Sequence, residues 1–126
     1  MPGRTILIVE DSELNCRLVE AVLRPHGYRL LTAKDGETGL HLARTEKPDL
    51  ILMDVLMPGM DGYEVTRQLR ADPDTNQLVV VALTASASKE EQERSLAAGC
   101  DGYISKPIDT RAFPQQILQF LPDSSV

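Results

Sequence analysis

No apolar stretch in these 126 residues is long enough to cross a membrane, and the opening Met1-Pro2-Gly3-Arg4-Thr5 carries no cationic leader. Neither a membrane span nor a secretory signal is expected, and the reading is cytoplasmic. Basic residues are outnumbered, 13 Lys and Arg against 19 Asp and Glu, for a net charge of −6. Direct nucleic-acid binding is therefore disfavoured, because it rests on cationic contacts to phosphate. The two cysteines, Cys16 and Cys100, lack the paired spacing of a zinc site, and both are expected as free thiols. The glycine signatures of a dinucleotide site and of a P-loop are missing as well. His26 beside a Pro/Gly break and His41 in a polar helical segment read as ordinary solvated residues rather than phosphocarriers.

What is present fits one soluble domain spanning 1–126, with a folded core from about residue 4 to 121 and a polar tail, Pro122-Asp123-Ser124-Ser125-Val126, expected to fray. The initiator methionine and that tail lead to the expectation of a complete small protein, with a part of a longer chain as the alternative. Three runs, Thr5 to Val9, Leu50 to Met53 and Leu78 to Leu83, are almost wholly apolar, as strands buried on both faces are. Two mixed runs, Tyr28 to Ala33 and Gly102 to Ser105, suit sheet edges.

Helical signals lie between these runs. Leu14, Leu18 and Val22 recur at four-residue spacing, with Val19 and Leu23 widening the stripe, and Pro25-His26-Gly27 ends that helix. Further helices are expected from about Gly36 to Thr45 and from about Gly62 to Arg70. Ser88-Lys89-Glu90-Glu91 matches a capping box and Gly99 supplies a stop, while Leu96 is the only large apolar residue from Ser88 to Ala98. A last helix follows Asp109, with its regular part pushed toward Pro114 to Leu121. Strand and helix alternating five times with short connections predict an α/β fold, a parallel sheet covered on both faces.

Ligands of open parallel sheets bind beyond the carboxyl ends of the strands. There the chain places Glu10-Asp11, Asp54, Thr84 and Lys106-Pro107. Each alone reads as a turn or strand-end residue; together they assemble three acids, a hydroxyl and an ammonium. Carboxylates about 4 Å apart repel by roughly 4 kcal/mol at an effective dielectric near 20, so a divalent cation is expected among them. An all-oxygen set without His or Cys favours Mg²⁺ over zinc.

These residues resemble the receiver domains of response regulators, including single-domain members of the CheY and DivK kind. The resemblance is carried by Ile6-Leu7-Ile8-Val9-Glu10-Asp11, Asp49-Leu50-Ile51-Leu52-Met53-Asp54, Met57-Pro58-Gly59-Met60-Asp61-Gly62, Leu83-Thr84-Ala85 and Tyr103-Ile104-Ser105-Lys106-Pro107. It implies a flavodoxin-like, doubly wound (βα)5 fold with strand order 2-1-3-4-5. It also implies that Asp54 accepts a phosphoryl group from a histidine kinase, a histidine phosphotransfer protein or a small acyl phosphate. Asp11 and Asp54, Glu10 directly or through water, and the backbone carbonyl of Leu56 would hold Mg²⁺. Lys106 and Thr84 would contact the phosphoryl oxygens, and Thr84 with Tyr103 would form the switch. A protein target would read the surface of helix 4, strand 5 and helix 5, in a monomer or a weak phosphorylation-dependent dimer.

Leu56 and Ser86, two positions after Asp54 and Thr84, depart from the family pattern where attacking water would pass, and an apolar Leu56 is expected to shield the acyl phosphate. A pseudo-receiver that serves as a constitutive interaction module is the main alternative. A Mg²⁺-dependent phosphatase with an aspartate nucleophile is weaker, because Asp54-Val55-Leu56 lacks that enzyme's second aspartate. The chain is thus expected to catalyse only its own phosphorylation and dephosphorylation.

Overall fold

The computed structural model describes residues 4–57, 59–85 and 88–121; the expected fraying tail, Pro58 and Ser86 lie outside them. Strands β1 (Thr5–Val9), β2 (Arg29–Ala33), β3 (Leu50–Asp54), β4 (Val80–Thr84) and β5 (Gly102–Ser105) form one parallel sheet in the order β2-β1-β3-β4-β5. Between and after them run α1 (Glu13–Leu23), α2 (Gly36–Glu46), α3 (Gly62–Ala71), α4 (Lys89–Ala98) and α5 (Phe113–Phe120). This is the doubly wound flavodoxin-like arrangement that the alternation and the resemblance together predict.

The three apolar runs occupy the centre of the sheet, and alternation within them divides the core. Leu7, Val9, Ile51, Met53, Val80 and Ala82 pack with residues of α2 and α3, such as Leu40, Val65 and Leu69. Ile6, Ile8, Leu50, Leu52, Val81 and Leu83 pack with Cys16, Val19 and Leu23 of α1 and Phe113 and Ile117 of α5. Removing each such side chain from water contributes roughly 1.5–3 kcal/mol, so the two central layers hold the strand ends in register.

Capping fixes where the helices start. Ser12, Asp35, Asp61 and Ser88 accept hydrogen bonds from the amides of Asn15, Thr38, Glu64 and Glu91, satisfying donors that a helix start leaves free. Asp109 accepts from the Arg111 and Ala112 amides in the turn before α5, which begins at Phe113 without a side-chain cap and with Pro114 inside its first turn.

Two expectations need correction. On α1 the buried residues are Cys16, Val19 and Leu23, while Leu14 is 78% exposed and Leu18 40%. The Leu14-Leu18 edge is tilted away from the sheet. Strand β4 starts at Val80 rather than Leu78, because the Leu78 carbonyl is taken by Arg70 and the Val80 amide by Asp101. Helix α4 buries little, in keeping with its single large apolar residue: Leu96 is 59% exposed, and the buried residues are the small Ser95 and Ala98.

Candidate functional site

Strand register carries the site. Val9 pairs with Met53, so Glu10, one residue past β1, lies beside Asp54, the last residue of β3. Asp54 in turn pairs with Leu83, and Thr84 pairs with Ser105, which places Lys106 immediately beyond β5. The Lys106 amide donates to the Thr84 carbonyl at 2.7 Å, extending the ladder by one bond. Lys106 and Pro107 are joined by a cis peptide bond.

At this end Lys106 Nζ donates to Glu10 Oε1 at 2.9 Å and to Asp54 Oδ1 at 3.0 Å. Glu10 is 1% and Asp54 4% exposed, whereas Asp11 is open to solvent. Carboxylate oxygens of Glu10, Asp11 and Asp54 all lie within 4.8 Å of one another. Burial first, and then the hydrogen bond shared with Asp54, raises the Glu10 carboxyl to about 7, against the opposing pull of Lys106 and the Ser12 amide. Burial pulls Lys106 downward, but its bonds to Glu10 and Asp54 outweigh that and leave its pKa raised. Three carboxylates against one ammonium leave the cluster short of positive charge. Its oxygen-only donors fit a small hard divalent cation.

The remaining expected residues fall around this core. Thr84 is 3% exposed at the end of β4. The Leu56 amide donates to Asp54 Oδ1 at 3.3 Å, while the Leu56 side chain is 72% exposed. It lines a cleft of about 130 Å³ together with Val55, Asp61, Tyr63, Thr84, Ala85, Glu91 and Arg94. Tyr103 is partly buried against the α2 and α3 side of the core.

Three supporting residues escape a reading of strand ends. The Ser12 amide donates to Glu10 Oε2 at 3.2 Å, and Cys16 Sγ to the Glu10 carbonyl at 3.4 Å. At Gly62 a Cβ would stand 2.3 Å from the Asp54 carbonyl oxygen, so only glycine lets α3 start this close to β3. In the sequence Gly62 marks the start of a helix, but nothing there shows the packing requirement.

Residues 6–118 match the response regulator receiver domain family. The chain is 40% identical over 121 residues to the polar-differentiation response regulator DivK of Brucella anthropi, covering 96% of this chain and 98% of that protein. Among solved structures it is similar to the receiver domain of a sensor histidine kinase from Pseudomonas aeruginosa, which has a magnesium ion coordinated in its active-site cleft. That match has a TM-score of 0.86 at 36% identity and covers 94% of this chain and 97% of the other. A chemotaxis response regulator of Vibrio cholerae gives a TM-score of 0.89 at 28% identity, with 94% and 99% covered. With the family match spanning nearly every element from β1 to α5, the chain belongs to the response regulator receiver domains of two-component signalling.

Proposed function

We propose that this chain is a single receiver unit and a phosphoacceptor switch, in which Asp54 takes a phosphoryl group from a histidine kinase or a histidine phosphotransfer protein. The observation that carries the reading is the placement of Asp54, nearly buried at the end of β3 between the Lys106 ammonium and the Glu10 and Asp11 carboxylates. An Asp54 oxygen bonds to phosphorus as the bond from phosphorus to the donor's imidazole nitrogen breaks, and the imidazole keeps that electron pair. Lys106 is already 3.0 Å from Asp54 Oδ1, so a phosphoryl oxygen on Asp54 meets the ammonium with little side-chain rearrangement. Thr84, on the neighbouring strand end, contacts another phosphoryl oxygen.

Glu10, Asp11, Asp54 and the Leu56 carbonyl are the groups that would hold Mg²⁺. When bound, the ion offsets the charge of the transferred group. The fold then shifts population rather than changing: Thr84 and Tyr103 rearrange, and the α4-β5-α5 face changes its affinity for a protein target. Among the described residues no helix is long and apolar enough to cross a membrane.

The deciding experiment is incubation of the pure protein with Mg²⁺ and acetyl phosphate, followed by intact mass. One added phosphoryl group that requires Mg²⁺ and is lost in Asp54→Ala supports the reading. No adduct despite bound metal identifies a pseudo-receiver, a constitutive interaction module with an unused site.

A further inference from the structure

Helix α4 is held by polar contacts at two ends that differ in kind. Its buried side chains are Ser95 and Ala98, and Leu96 faces out, so little apolar area fixes its position. Its C-terminal end is clamped by Arg70 of α3. That guanidinium donates from Nε to the Gly99 carbonyl at 2.9 Å, from Nη1 to the Leu78 and Asn76 carbonyls at 2.6 and 2.9 Å, and from Nη2 to Asp101 at 2.9 Å. Gly99 itself has φ +106°, and a Cβ there would press to 2.8 Å from Arg70 Cγ. The backbone therefore turns at Gly99 directly over the Arg70 stem.

Toward its N-terminal half α4 meets Tyr63 of α3. Tyr63 of α3 is 4% exposed, with its ring in the core. Its hydroxyl donates a short bond to Glu91 Oε2 and lies 3.4 Å from Ser95 Oγ. Arg94 stacks on the same ring, 4.9 Å from its centroid, and its Nη1 donates to Glu91 Oε1 at 3.3 Å. Tyr63, Glu91 and Arg94 also form one wall of the cleft whose other side includes Thr84, Ala85 and Leu56. The latch thus borders the residues that respond first to a phosphoryl group on Asp54.

We infer that α4 is a lever pivoted at Gly99 on the Arg70 clamp and latched at Glu91 by Tyr63, and that phosphorylation opens the latch. Tyr63 is a positioning residue: it touches no reacting atom, but sets the balance between two placements of the α4 N-terminal half. The switching half rests on the phosphoacceptor reading above. The latch itself belongs to the unphosphorylated chain and is measurable without that reading. Comparison of two phosphorylation states separates a latch from a packing residue whose hydroxyl meets the nearest acceptor.

The test is amide hydrogen exchange on the wild type and Tyr63→Phe, each with and without Mg²⁺ and acetyl phosphate, with intact mass reporting the adduct. Tyr63→Phe removes one bond to a charged acceptor, so in the unphosphorylated protein exchange over residues 89–95 is expected to rise roughly ten-fold, while residues 99–105 beside the clamp stay unchanged. Phosphorylation of the wild type raises exchange over the same 89–95 stretch, and the difference between wild type and variant then disappears. Glu91→Gln, which leaves the core untouched, is expected to give a smaller shift in the same direction and covers the case in which Tyr63→Phe folds poorly. An undiminished difference after phosphorylation makes Tyr63 a structural residue and overturns the inference, as does no difference beforehand. If the wild type takes no phosphoryl group, the phosphoacceptor reading falls, and the ten-fold difference still reports the latch.

Discussion

Gly62 shows how one residue without a side chain sets the distance between a helix and a strand. A methyl group there would meet the Asp54 carbonyl oxygen at 2.3 Å, Met53 Cγ at 2.9 Å and Val55 Cα at 2.9 Å, and two of these atoms belong to the backbone and cannot swing aside. Gly62→Ala is expected to lower unfolding free energy by about 1–3 kcal/mol in a urea titration. The thiols give a second residue-scale prediction. Both are buried; burial, then the Glu10 charge, raises Cys16 to about 11, and burial raises Cys100 also. Neither is expected to react appreciably with a disulfide reagent at pH 8 until urea unfolds the chain, whereas prompt modification of the native protein would contradict this packing. Leu56→Asn is expected to shorten the lifetime of the phosphoprotein, read by the decay of the adduct mass, because it puts an amide where an exposed leucine lines the cleft above the acceptor. At this scale the acidic and basic groups were legible in the sequence because each stands at the end of an expected strand. Ser12, Cys16 and Gly62 were not, since what they do depends on a neighbour distant in the chain or on backbone direction.

Among the elements, α1 marks where periodicity stops being informative. Leu14, Leu18 and Val22 make one stripe, Cys16, Val19 and Leu23 another, and in an eleven-residue helix the two overlap. Only docking against Ile6, Ile8, Leu50 and Leu52 selects the second. Similarly, β4 could not be trimmed from the sequence, because its start depends on Arg70 and Asp101 capturing backbone groups from two other loops. Helix ends were easier where glycine or a capping serine stood. The end of α2 has no glycine: Lys47 occupies the left-handed region at φ 45° and ψ 63°, where a side chain is strained. Lys47→Gly is expected to stabilise the protein by about 0.5–1 kcal/mol, since relief of that strain exceeds the loss of an exposed bond from Lys47 to the Asp74 carbonyl. An unchanged or lower thermal midpoint would refute it.

For the molecule as a whole, the sheet brings to one rim more negative charge than Lys106 can balance, so folding without a metal works against that repulsion. Mg²⁺ is therefore expected to raise the thermal midpoint, by a stabilisation of about 2.7 kcal/mol at a hundred-fold excess over Kd, and Asp11→Ala is expected to blunt the effect. Equal midpoints with and without Mg²⁺ would argue against a preformed ion site. The α/β class and the two edge strands were the most readable properties, because buried central runs and mixed edge runs differ in composition, whereas the strand order came from the family resemblance. The support of α4 was the least readable, as it rests on Arg70 and Tyr63 from another helix. That support has an evolutionary consequence. Glu90, Glu93 and Leu96 lie on the outside of a helix whose hold comes from Ser95, Ala98, Glu91 and the α3 contacts, so they can diverge almost without folding cost. A descendant chain could remodel this face through a few substitutions while inheriting the acidic cluster and Lys106 intact.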